Sequence, residues 1–331
     1  MTVEQTAGSQ HTGERVTGRV SRVDRGGVEV TVAGDSTVAA PTHPEVLVGD
    51  WVEVDVTGTA PRVVQVHPRR SVLARASADR TSQEQGLVAN VDVVVVVEPA
   101  HPAPSLGRIE RLLVLAWSSG AEPLVVLTKA DLHPDGDRLG RDVQQASPGV
   151  PVLAVSAVSA RNLDQLRAHL GAERTFVLLG PAGAGKSTLV NALAGVDLLA
   201  VGDVRGDGRG RHTTTHRQLV SLPDGSKLVD TPGLRAVGLV GDADAVDEVF
   251  SEVAELAASC RFRDCAHEDE PDCAVTLAVA DGVLPQRRLA SWRKMQREVA
   301  YQQRRGDARA EREERAKGRA LSKQRRGLNQ R

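Results

Sequence analysis

Four short motifs constrain this chain more than anything else in it, because they occur in a rotated order. Thr128-Lys129-Ala130-Asp131 and then Ser156-Ala157 come first. Gly180-Pro181-Ala182-Gly183-Ala184-Gly185-Lys186-Ser187-Thr188 follows, and Asp230-Thr231-Pro232-Gly233 comes last. A glycine-rich phosphate loop normally opens a nucleotide-binding α/β domain, and the segments that read the base close it. Here the base-reading pair leads, as if such a domain had been cut and rejoined. Four motifs in one cyclic order require a parallel sheet whose loops converge at one edge, whatever the point at which the chain enters it.

Each motif carries its own chemistry. Phe176-Val177-Leu178-Leu179 reads as a strand and Lys186-Ser187-Thr188-Leu189-Val190 as a helix start. The glycines between them let backbone amides approach phosphate oxygens at the positive helix end. Lys186 is placed to bridge terminal phosphates and Ser187 to ligate Mg²⁺. Asp230 ends the strand Lys227-Leu228-Val229, where a carboxylate holds the metal through water and the Gly233 amide senses a γ-phosphate. The Asp131 carboxylate accepts two hydrogen bonds from guanine N1 and N2, which adenine does not offer. The Lys129 stem packs over the base. Thr128 stands where Asn is usual and has one donor fewer, so a modest loss of affinity is expected. A backbone amide of Ser156-Ala157 meets guanine O6.

Between these motifs lies Gly206-Asp-Gly-Arg-Gly-Arg-His-Thr-Thr-Thr-His216, whose glycines, basic residues and threonines suit a mobile switch. Thr214 or Thr215 is expected to reach Mg²⁺. Leu234 follows Gly233 where a water-orienting Gln is common, so His212 or His216 becomes the candidate catalytic group. Slow intrinsic hydrolysis that rises when a partner orders the loop is the expectation.

The remaining sequence divides by its pattern. Residues 1–14 read as a disordered leader. Residues 15–72 alternate with period two between Gly/Asp turns, as in Val28-Glu-Val-Thr-Val32, which predicts a small β-barrel of oligonucleotide-binding type. Residues 73–245 switch to near-continuous apolar runs such as Val93–Val97 separated by amphipathic segments, the signature of a parallel α/β domain. Residues 246–284 form a small helical unit. Within it Cys260, Cys265, His267 and Cys273 supply a complete tetrahedral set for one structural Zn²⁺. Residues 285–331 read as a basic helix that frays into disorder.

Charge is distributed unevenly. The whole chain carries −1, yet from Pro285 to Arg331 there are 16 Arg or Lys against 5 acidic residues, so a +11 tail sits on a −12 body. That asymmetry points to an anionic partner, most commonly nucleic acid. With seven aromatic residues in all, base stacking is scarce. RNA affinity is then expected to come from phosphate contacts and shape. No apolar stretch approaches the roughly 20 residues of a membrane span, and Met1–Glu14 is polar, so no membrane is involved and a cytoplasmic monomer is expected.

Together the TKAD motif at Thr128, GPAGAGKST at Gly180, GRHTTT at Gly210, DTPG at Asp230 and the Cys-x4-Cys-x-His-x5-Cys spacing resemble the circularly permuted GTPases. Within them they resemble most the RsgA family of small-ribosomal-subunit biogenesis GTPases. The resemblance implies a GTP hydrolase that binds the 30S subunit and its 16S rRNA late in assembly and hydrolyses GTP to leave it. It implies the same four zinc ligands and GTP contacts from Thr128–Asp131 and Gly180–Thr188. An RNA-binding scaffold holding GTP as a structural ligand and a permuted GTPase of the large subunit are the alternatives. The rotation also moves the chain's exit to the switch. Coupling of the γ-phosphate state to the zinc module through residues 234–246 is expected, with the barrel entering from the opposite side.

Overall fold

The computed structural model describes residues 15–24, 26–33, 37–40, 46–57, 59–76, 84–199, 217–230, 242–268 and 270–304. The leader and the tail beyond residue 304 lie outside them.

The amino-terminal unit contains β1 (Arg15–Val23), β2 (Val28–Val32), β3 (Thr37–Ala40), β4 (Trp51–Asp55) and β5 (Arg62–Val66). Alternating valines make these strands: Val20, Val28, Val30, Val52 and Val54 point to one side and are almost wholly buried. All pairings are antiparallel, in the order β3-β2-β1-β4-β5. Among the described residues no pairing joins β3 to β5, so closure of the barrel is not seen directly. A separate hairpin follows, β6 (Val72–Ala76) with β7 (Glu84–Ala89).

Then comes the α/β body. Its strands are β8 (Val93–Pro99), β9 (Glu122–Thr128), β10 (Val152–Ala154), β11 (Thr175–Leu179), β12 (Arg217–Ser221) and β13 (Lys227–Asp230). Its helices are α1 (Leu106–Ser118), α2 (Gly136–Gln145), α3 (Leu163–Leu170) and α4 (Lys186–Ala194), followed by α5 (Ala243–Val249), α6 (Ser251–Ala258), α7 (Ala274–Ala280) and α8 (286–304). The run of valines in β8 is explained by burial on both faces. Val93, Val95 and Val97 pack with Leu163, Leu166 and Leu170 of α3 and Leu189 of α4, whereas Val96 packs with Ile109 and Leu113 of α1. Five strands, β10-β9-β8-β11-β13, are mutually parallel, and β12 pairs antiparallel with β13.

The sheet continues into the amino-terminal unit, and this corrects one expectation. Rather than entering from the side opposite the switches, β1 pairs with β12 (Arg22 opposite Gln218, Val23 opposite Arg217). β12 begins one residue after His216, so the amino-terminal unit pairs with the strand that follows the switch segment. The physical reason is edge pairing: β12 would otherwise present an unpaired row of amides and carbonyls, and β1 covers it. A buried polar latch adds to the junction. The Arg19 guanidinium donates to the carbonyls of Asn90 (3.0 Å) and Gly49 (3.3 Å), and the Asn90 side chain donates to Gly49 as well.

The carboxy-terminal helices lie over α1. Alongside Ile109 and Leu113, α1 buries Glu110, because α8 crosses it with Arg288. Leu289, Met295 and Val299 of α8 complete the same apolar cluster with Val246, Phe250 and Val253. The basic segment that reads as a charged helix therefore has one fully packed side over residues 286–304.

Candidate nucleotide site and metal centre

Parallel strands place their carboxyl ends at one edge, and the base, phosphate and Asp230 segments leave the sheet there. The phosphate loop connects β11 to α4. Gly180 has φ +156°, and a Cβ there would stand 2.1 Å from the Val97 carbonyl oxygen, so only glycine lets the loop pass so close to β8. Gly185, at φ +83°, caps α4. Pro181 is half-buried, Ala182 and Gly183 are exposed, and Ala184 is buried beneath the loop. The Lys186 ammonium lies over the loop, donating to the carbonyls of Gly180 (2.9 Å) and Pro181 (2.7 Å). Ser187 and Thr188 occupy the first turn of α4, where the helix dipole favours an anion.

The base-reading loops are held together by backbone. Lys129 adopts a left-handed conformation (φ +57°) that turns the chain into a short 3-10 turn, Ala130–Leu132. Ala130 is buried and its amide donates to the Val155 carbonyl at 3.1 Å, which joins this loop to the one after β10. Asp131 is left exposed on the turn. In the second loop Ser156 is fully buried, its amide bound to Arg161 (3.2 Å) and its hydroxyl accepting from the Ser159 amide (3.1 Å). Ala157 is half-buried beside it.

Thr128, standing where Asn is usual, has a contact of its own. Its hydroxyl stands 2.5 Å from the Ala184 carbonyl and 3.4 Å from that of Glu98. One proton serves one acceptor, and the nearer takes it. The hydroxyl thus ties the base-reading loop directly to the phosphate loop. Thr128→Val removes that donor and leaves a buried carbonyl unpaired. About 1–2 kcal/mol of stability and a roughly tenfold loss of nucleotide affinity are expected, measured by thermal denaturation and nucleotide titration. An affinity equal to wild type refutes this role for the hydroxyl.

Sequence reading did not find the support behind Thr128. Glu98, wholly buried at the end of β8, is paired with both nitrogens of the Arg108 fork from α1. A carboxylate inside an apolar strand gives no sign of its partner, since Arg108 lies on another element. Asp230 is half-buried at the end of β13, opposite Gln218 of β12. His212, Thr214, Thr215, Gly233 and Leu234 lie outside the described residues.

In the carboxy-terminal helical unit Cys260, Cys265, His267 and Cys273 converge, with their donor atoms all within 4.8 Å of one another. The Cys260 and Cys273 sulfurs are 3.9 Å apart, and His267 Nδ1 is 3.4 and 3.6 Å from them. A tetrahedron with Zn–S of about 2.3 Å and Zn–N of about 2.05 Å has edges of about 3.8 and 3.6 Å, so the Cys260, His267 and Cys273 separations suit zinc, with Cys265 near enough to complete the set. The thiols differ in their readiness to ionise. Burial pushes Cys273 up, but the Thr276 amide and hydroxyl, with His267 and Cys265, outweigh it and bring it down to about 6. Burial and the neighbouring sulfurs push Cys265 up to about 11. A cation at the centre removes that conflict by balancing the crowded thiolates.

The support of this centre was not legible either. His267 packs edge-on against Trp292 of α8, ring centres 5.6 Å apart. The Trp292 indole and the Gln296 amide both donate to Asp247 of α5, at 3.1 and 2.9 Å. An element that follows the Asp230 segment is thereby linked to a candidate ligand.

Comparison with known proteins agrees with this geometry. The family model for RsgA GTPase matches residues 66–240. A small ribosomal subunit biogenesis GTPase RsgA of Streptomyces coelicolor is 52% identical over 307 residues, 88% of this chain and 83% of that one. Its counterpart in Methanosarcina acetivorans is 38% identical over 92% of this chain and 85% of its own length. The structure of YjeQ from Thermotoga maritima superposes with a TM-score of 0.65 at 28% identity, over 86% of this chain and 99% of that one. That of YloQ, a circularly permuted GTPase, shares the fold with a TM-score of 0.64 at 24% identity, over 89% and 98%. Rotated motifs, sheet order, Cys3His cluster and relatives all lead to one assignment: the chain belongs to the RsgA GTPase family.

Proposed function

We propose that this protein hydrolyses GTP while bound to the small ribosomal subunit late in its assembly, and that hydrolysis releases it. The observation that carries the reading is the joining of the two base-reading loops to the phosphate loop at one sheet edge, through Thr128–Ala184 and Ala130–Val155. Its relatives' names as small ribosomal subunit biogenesis GTPases supply the partner.

In this reading the amides of Gly183 to Thr188 and the Lys186 ammonium hold the phosphates. Asp131 accepts from guanine N1 and N2. With the Ser156 amide committed to Arg161, the Ala157 amide is the donor for guanine O6. Ser187 and Asp230 are the residues that would hold Mg²⁺, which supplies charge neutralisation when bound. Water attacks the γ-phosphorus, the bond to the β-phosphate oxygen breaks, and GDP and phosphate result. His212, Thr214 and Thr215 are the groups proposed to order that water and the switch. We further place the protein in the cytoplasm as a monomer with 16S rRNA as its contact. Among the described residues no helix is long and apolar enough to cross a membrane.

Replacing Asp131 with Asn exchanges two charge-assisted hydrogen bonds for a mismatched amide. GTP affinity is expected to fall about 100-fold with discrimination against ATP much reduced. Competition titrations with GTP and ATP measure both, and unchanged selectivity defeats the assignment of Asp131 to the base. The function itself is tested by GTP turnover alone, with 30S particles and with 50S particles. Stimulation by 30S supports the proposal, stimulation by 50S moves the protein to the large subunit, and no stimulation leaves a scaffold that holds GTP.

A further inference from the structure

We infer that the outward side of α8 is an RNA-binding ridge that contacts the phosphate backbone. Arg287, Lys294, Arg297, Tyr301 and Arg304 follow one another at steps of seven, three, four and three residues, and all are exposed. At 3.6 residues per turn they fall within an arc of about 100° and extend over roughly 25 Å of helix. The opposite side is the packed one, where Arg288, Leu289, Met295 and Val299 are buried. The basic residues thus form one surface, which composition alone does not establish.

Three observations favour RNA as the occupant. Arg287 is already paired with the buried Glu110 at 2.7 Å, and the single acidic residue of 286–304, Glu298, is engaged by Arg111 at 2.9 Å, so no carboxylate of this helix competes for Lys294, Arg297 and Arg304. Among the described residues neither Lys294 nor Arg304 has an acidic partner. The other exposed residues in the same arc are small or polar (Gln286, Ala290), so the ridge lacks the apolar anchor that centres most protein interfaces. A row of spaced cations with one tyrosine suits a ladder of phosphates and an occasional stacked base.

The helix is also rigid before any partner arrives. Arg288 is clamped by Glu110 and Glu252, and Trp292 and Gln296 are fastened to Asp247. Little ordering is left to oppose binding. The inference rests on the proposed ribosomal function for the identity of the RNA.

The test uses the full chain carrying Lys294→Gln, Arg297→Gln and Arg304→Gln together, with a 16S rRNA transcript as the probe and fluorescence anisotropy as the readout. Across about 50 to 200 mM salt, the variant is expected to bind 10- to 100-fold more weakly, with the slope of log affinity against log salt reduced by about 2. GTP affinity, zinc content and melting temperature stay at wild-type values, since none of the three residues packs inward. Unchanged affinity and slope overturn the inference. So does a variant that binds the transcript normally and loses only 30S particles, which would assign the ridge to a ribosomal protein. Wild-type turnover that ignores 30S particles removes the functional reading separately, because the transcript assay does not depend on it.

Discussion

Stripping metal from the full-length protein with a strong chelator unfolds the loop from Cys260 to Cys273 and leaves the α/β body folded. α6 and α7 pack into the core through Val253, Val275 and Ala278, but little besides the metal orders the loop between them. α6 and α7 have eight and seven residues, well below the length at which a helix persists alone in water. His267 and Asp272 both sit in the left-handed region, at φ +57° and +58°, costing about 1–2 kcal/mol each for residues that are not glycine. Against this, a structural zinc site contributes roughly 10–16 kcal/mol of apparent binding free energy near neutral pH. Once the metal is gone, the loop from Cys260 to Cys273 has no reason to keep these turns. Trp292 reports the event, since its ring packs on His267. Its emission is expected to shift to the red and the loop to become sensitive to protease, while GTP affinity is kept. A metal-free protein with unshifted emission and an intact loop would falsify the zinc assignment.

Arg288→Ala is expected to cost about 3–5 kcal/mol and to lower the melting temperature by roughly 5–10 °C. Arg288 is 4% exposed, and its guanidinium reaches four places at once. It donates to Glu110 of α1 (2.9 Å), to Glu252 of α6 (2.5 Å) and to the carbonyls of Val249 (2.8 Å) and Ala146 (3.3 Å). Its face also lies over the Phe250 ring at 4.2 Å, adding a cation–π contact in a desolvated place. Truncation leaves the 1%-exposed Glu110 carboxylate with Arg287 alone, and most of the cost is that stranded charge. A double variant, Arg288→Met with Glu110→Leu, should therefore recover much of the loss, because a well-packed apolar pair avoids desolvation. If the double variant melts as low as the single one, packing around α8 rather than the ion pair is the source. Either result is read in calorimetry, with GTP affinity as the control.

These two predictions show where reading the sequence succeeds and where it stops. The valine run of β8 announces burial on both faces, because no amphipathic alternation survives there. Glycine at 180 and 185 announces a backbone that passes close to its neighbours. The Cys and His spacing announces a metal, since four donors within fourteen residues can close on one ion. Each signal is local: the residues that reveal the role also perform it.

Arg288 gives no such signal. It sits in a basic run and reads as solvated until Glu110, 178 residues earlier, is brought against it. Trp292 is likewise an ordinary apolar residue of a charged helix until the fold sets it between Asp247 and His267. The position of the amino-terminal unit is illegible in the sequence for the same reason. Nothing in β1 or β12 says that they pair, because antiparallel edge strands recognise each other through backbone, which every residue shares.

The rotated motif order, the glycine-rich loop and the grouping of Cys260, Cys265, His267 and Cys273 were legible in the amino-acid sequence. They depend on residue type at short spacing. Tertiary structure alone decided that the amino-terminal unit pairs with β12, that a charged helix is bolted to the body by one buried arginine, and that its remaining cations form a single ridge. Those facts depend on which distant surfaces meet. Burial and pairing between segments far apart in the chain leave no periodic mark on either one.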